Sequence, residues 1–99
     1  MRDYGLTKEY VQGMYNSAAV LKELARAGYV DVEAAKGAKD QDEILWNAAE
    51  RDEVLMQSMY DCANQARGVF ADSKGVDAGY LVEYYDRKKK GLPDNPGVV

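Results

Sequence analysis

The only two prolines of this chain, Pro93 and Pro96, fall among its last seven residues. Proline lacks the backbone N–H and its ring clashes with the preceding turn, so it marks places where a helix cannot run. Nothing of that kind interrupts the chain before Pro93. Hairpin signals are missing too, since no Asn-Gly or Asp-Gly pair separates alternating apolar runs. The chain therefore reads as all-α, a helical hairpin or bundle of three to four helices.

Apolar periodicity places the elements. Thr7 is the first N-cap, with Leu6 and Val11 spaced as a hydrophobic staple. Tyr10, Met14, Ser17, Leu21 and Leu24 then recur at three- and four-residue steps, and Gly28 is the stop. Asp31 opens a shorter helix through Val32–Lys36, weakened by Gly37. Asp40 with Glu43 resembles a capping box and starts the dominant element, one long helix over 40–73. Its stripe runs through Ile44, Ala48, Arg51, Leu55, Met59, Cys62, Ala66 and Val69. A charged residue inside that stripe (Arg51, or Asp52 beside it) is either paired, specifying register, or simply at the edge of the face. The last helix spans Asp77–Lys90 and stops at Gly91. Residues 1–91 are thus expected to form one domain, and 92–99, rich in Pro and Gly, a flexible tail.

Gln12–Ala18 and Gln57–Ala63 agree at four positions of seven, with an offset of 45 residues. Two readings stay open: duplication of a helical hairpin about a pseudo-twofold axis, or chance likeness between Ala-rich amphipathic helices.

Composition removes whole classes of chemistry. With no histidine, a His-based triad, a His-ligated metal and an imidazole switch are excluded. The single cysteine, Cys62, cannot close a disulfide within the chain or build a thiolate zinc site. It reads as an inert buried thiol. The net charge of −4 disfavours nucleic acid as a partner. No apolar run is long enough to span a membrane and the first residues lack a signal-peptide core, so a cytoplasmic protein is expected. Eight acids crowd residues 31–53, but calcium-loop spacing is absent and several of them sit where helix starts favour negative charge. No metal and no cofactor is expected. Gly-rich phosphate loops, nucleophile elbows and paired-carboxylate motifs are also missing, which points to a non-enzymatic protein.

Tyrosine is the compositional oddity, eight of ten aromatics. It offers a large contact area with a hydrogen-bonding tip and is enriched at interfaces. Tyr80, Tyr84, Tyr85 and Arg87 on one helix make a candidate partner-binding patch, against the plainer alternative of a half-buried helix face. A straight helix over 40–73 would be on the order of 50 Å long, more than a compact globule of this size can cover. Its stripe, Ile44, Ala48, Leu55, Met59, Cys62, Ala66 and Val69, is therefore expected to pair two or more copies, most simply as a homodimer. The functional expectation is a small protein–protein interaction module, an inhibitor or accessory protein acting by surface occlusion. Phage proteins directed against host machinery share this size and composition, by analogy only. The alternatives are a structural homo-oligomer subunit, and a helical oligomer that stacks a nucleotide-like ligand between Tyr and Arg side chains.

Overall fold

A computed structural model describes residues 2–31, 40–67 and 75–92. Among them are five helices and no strand: α1 Lys8–Gly13, α2 Ser17–Arg26, α3 Gln41–Glu50, α4 Glu53–Arg67 and α5 Ala78–Lys89. Four of these close a ring, α2 against α3, α3 against α4, α4 against α5 and α5 back against α2, while the short α1 lies on α4. The all-α bundle expected from the sequence is what the chain forms. The expected helix over Val32–Lys36, the end of the long helix at 68–73 and the tail at 93–99 lie outside the described residues.

The caps follow local chemistry. The Thr7 hydroxyl accepts from the Tyr10 N–H at 3.1 Å, the Asp40 carboxylate from the Glu43 N–H at 3.0 Å, and Asp77 from Tyr80 at 3.0 Å. Each satisfies a donor that the first helical turn leaves unpaired. Gly28 and Gly91 are the expected stops, both left-handed at φ 87° and 71°. The following amides, Tyr29 and Leu92, reach back to the carbonyls of Leu24 and Arg87 at 2.9 Å, which is a Schellman closure in both cases.

Two expected helices are broken. The first stops at Gly13 and restarts at Ser17, because the Asn16 side chain takes the Ala19 N–H at 3.1 Å and caps a new helix. The long helix over 40–73 stops at Glu50. Asp52 then accepts the N–H groups of Val54 at 3.0 Å and Leu55 at 3.3 Å, so it caps α4 rather than lying in a continuous helix. Ten- and fifteen-residue helices fit a molecule whose longest extent is 36 Å, whereas the unbroken helix would not.

That break removes the argument for a seam between copies. Leu55, Met59, Cys62 and Ala66 are buried in the chain's own core, together with Val11, Leu21, Leu24, Leu45 and Leu81. Ile44 and Ala48 pack partly buried against that core, and Val69 lies outside the described residues. Trp46 is buried, with the Lys8 ammonium 5.8 Å from its ring. The similar heptads differ in backbone: Gln12–Ala18 crosses the first break, while Gln57–Ala63 is continuous helix. The likeness is one of sequence and not of local structure.

Two backbone features bear on the surface. Gly75 has φ 95°, and a Cβ built there would lie 2.1 Å from the Met14 carbonyl oxygen. The adjacent Val76 N–H donates to that same oxygen at 2.9 Å. Only glycine allows the strand of chain entering α5 to press against the α1–α2 break. The N-terminal residues form a tight turn in which Leu6 N–H meets the Asp3 carbonyl at 2.8 Å, with Tyr4 at φ 56° and Gly5 at φ 75°. Positive φ at both central positions is the pattern of a type I′ turn, where tyrosine pays roughly 1–2 kcal/mol relative to glycine.

Candidate functional site

The four residues expected to form a tyrosine patch part company. Tyr84 and Tyr85 are 5% and 3% exposed, Arg87 is half-buried, and Tyr80 alone of the four is exposed, at 40%. The patch is corrected to a single surface tyrosine with two buried neighbours. The reason lies on the opposite helices.

Helices α4 and α5 run antiparallel, as their side-chain pairs show: Tyr80 with Gln65, Tyr84 and Lys88 with Asp61, Tyr85 and Lys89 with Asp52. Each aspartate is a node. Asp61, 7% exposed, accepts from Tyr4 Oη at 2.5 Å, Gln57 Nε2 at 2.7 Å, Tyr84 Oη at 2.9 Å and Lys88 Nζ at 3.0 Å. Asp52 accepts from Tyr85 Oη at 2.5 Å and Lys89 Nζ at 3.1 Å in addition to capping α4. Asp86 on α5 takes Tyr29 Oη at 2.5 Å and Lys90 Nζ at 2.8 Å. Three consecutive lysines thus meet three aspartates, each of which also holds a phenol. Lys88 and Lys89 lie 5.3 and 5.6 Å from the rings of Tyr84 and Tyr85, one turn before them.

Electrostatics agree with this geometry. Burial pushes the Asp61 carboxyl up, but the bonds from Tyr4, Lys88, Gln57 and Tyr84 outweigh it and hold the group below its ordinary value of 3.8. Asp52 behaves alike, burial being overcome by Tyr85, Lys89 and the Leu55 amide. Lys90 and then Tyr29 lower Asp86. The phenols move the other way: Tyr85 is raised by burial and by its bond to Asp52, Tyr4 and Tyr29 chiefly by their bonds to Asp61 and Asp86. At neutral pH these nodes are ionised carboxylates saturated with donors. Such groups hold elements together; they are not poised to exchange protons with a substrate.

Cys62 is buried, and desolvation pushes its thiol up to about 12, so it is unreactive as expected. Among the described residues, no three Asp, Glu or Cys side chains are grouped to hold a metal ion. The acids of α3 serve local ends: Asp40 caps, Asp42 accepts from the Ser17 hydroxyl, and Glu50 pairs with Lys8 at 3.1 Å. No helix among the described residues is long and apolar enough to cross a membrane.

A mostly apolar groove of about 470 Å³ opens at the other end of the α4–α5 seam. Cys62, Gln65 and Ala66 line it from α4, and Gly75, Val76, Asp77 and Tyr80 from the start of α5. Tyr80 stands at this groove because Asp77 caps the helix that carries it and the Val76 N–H, brought close by Gly75, ties the segment before it to Met14. Its hydroxyl donates to Gln65 Oε1 at 2.9 Å.

Sequence reasoning missed Tyr4, Asp61 and Asp86 altogether. One signal was present: Tyr84–Lys88 and Tyr85–Lys89 at four-residue spacing put a phenol and an ammonium side by side, a pair that fits a carboxylate opposite. No protein-family model, curated protein or solved structure matches the chain.

Proposed function

We propose that this chain is a non-enzymatic interaction module, an accessory or inhibitory protein that works by occupying a partner's surface through the Tyr80 groove. The observation that carries the reading is the exposed Tyr80 beside a mostly apolar groove of about 470 Å³, on a molecule whose other α5 tyrosines are turned inward. An aromatic with a polar tip at the edge of an apolar depression is the kind of anchor that dominates protein interfaces. Support also comes from α5's basic end. Lys88, Lys89 and Lys90 each have a carboxylate within the chain, which leaves a phosphate backbone less to gain there.

The test is native mass spectrometry of the tagged chain recovered from a lysate of its own cells. The reading predicts a stoichiometric complex with another protein that Tyr80→Ala abolishes and Tyr10→Ala preserves, Tyr10 being equally exposed but not among the residues that line the groove. A complex indifferent to Tyr80→Ala, a homo-oligomer without a partner, or an added small mass would each overturn it.

A further inference from the structure

The N-terminal residues lie across α4 as a strap, and the way they are held is that of a bound peptide. The Gln57 side-chain amide reads the backbone of Arg2 in both directions: its Oε1 accepts the Arg2 N–H at 2.8 Å, and its Nε2 donates to the Arg2 carbonyl at 3.1 Å. Two residues on, Arg67 Nη1 donates to the Tyr4 carbonyl at 3.1 Å, and Asp61 takes the Tyr4 hydroxyl. Main-chain bonds of this kind read no side chain and accept any segment able to take the same tight turn, while the buried carboxylate selects for a phenol. The strap is also an imperfect occupant. Tyr4 sits at φ 56°, a conformation that side chains rarely adopt, and a cavity of about 370 Å³ remains among Arg2, Tyr4, Gln57, Asp61, Tyr84 and Lys88.

We infer that the α4 surface formed by Gln57, Asp61 and Arg67 is a peptide-recognition groove, filled within the free chain by its own N-terminal strap and open to a tyrosine-bearing turn segment of a partner protein that displaces it. The strap competes as a tethered ligand at an effective concentration on the order of millimolar, so the groove discriminates against weak segments. This surface is separate from the Tyr80 groove. A chain that fails to capture a partner through Tyr80 yet binds a tyrosine peptide here would lose the first reading and keep this one.

The test uses the full chain carrying Tyr4→Ala and a synthetic peptide of residues 1–7, followed by NMR at the Gln57 side-chain amide. The peptide should bind that chain, its Tyr4→Phe version should bind about tenfold or more weakly through loss of one bond to a charged acceptor, and the unaltered chain should need far more peptide for the same shift. A folded Tyr4→Ala chain that ignores the peptide, equal binding of the phenylalanine version, or equal binding by the unaltered chain would each refute the groove. Self-association of the unaltered chain at the same concentrations, with the Gln57 amide shifting, would assign the groove to a second copy and refute the partner reading. If Tyr4→Ala does not fold, hydrogen exchange on full-length Tyr4→Phe decides. Amides of residues 2–6 should exchange about tenfold faster with helix amides unchanged, and unchanged strap amides would overturn the proposal.

Discussion

At the scale of single residues, one carboxylate ties three parts of the chain together. Asp61 binds the N-terminal strap through Tyr4, its own helix through Gln57, and α5 through Tyr84 and Lys88. Removing its charge leaves donors facing a neutral amide in a nearly buried site. Asp61→Asn should therefore cost roughly 2–4 kcal/mol in urea unfolding. Tyr84→Phe, which deletes one buried donor and leaves the others, should cost about 1–2 kcal/mol, and Tyr4→Phe at the more open strap less than that. An Asp61→Asn chain as stable as the parent would show the node to be ornamental. Little of this was legible beforehand. Asp61 sits between apolar positions of α4 with nothing in its neighbours to set it apart, and apart from Gln57 its partners are 23 to 57 residues away in sequence.

The helices themselves were legible in type and, where a cap or a glycine closes them, in extent. Thr7, Asp40, Asp77, Gly28 and Gly91 each do what their local chemistry implies. The breaks at Asn16 and Asp52 were not foreseen, because the apolar stripe continues through both and periodicity carries no mark where the hydrogen-bond ladder stops. The mark was in the side chains: an Asn or Asp able to take an amide two or three residues ahead offers the backbone an alternative to helix. In the sequence Asp52 reads as a charge in the seam, but its capping role decides the architecture. Asp52→Ala should lose the cap, worth about 1 kcal/mol, together with the bonds from Tyr85 and Lys89. Asp52→Asn keeps a capping oxygen and should recover part of the loss. Equal destabilisation of the two variants in thermal or urea unfolding would count against the cap.

The whole molecule buries four of its eight tyrosines and ties Lys88, Lys89 and Lys90 to carboxylates, and this fixes how its stability depends on pH. Asp52, Asp61 and Asp86 are held below 3.8, so their contribution is complete above that pH and is lost as pH falls through their folded-state values. Tyr15 and Tyr85 are raised above 10.0, mainly by burial, so the unfolded chain ionises first and stability falls as pH climbs beyond 10. Unfolding free energy measured against pH should be a plateau with shoulders near those two limits. A decline centred near neutrality would contradict the three aspartate nodes.

Helix α5 shows one tyrosine to the outside and keeps two for the fold. Hydroxyl-radical footprinting of the eight tyrosines, read by mass spectrometry on the free chain and on the captured complex, tests it most directly. The free chain should be labelled at Tyr10 and Tyr80 and spared at Tyr15, Tyr60, Tyr84 and Tyr85, and the complex should lose label at Tyr80 while Tyr10 keeps its own. Labelling of Tyr84 and Tyr85 at the rate of Tyr80, or a complex in which Tyr80 stays as reactive as before, would contradict it.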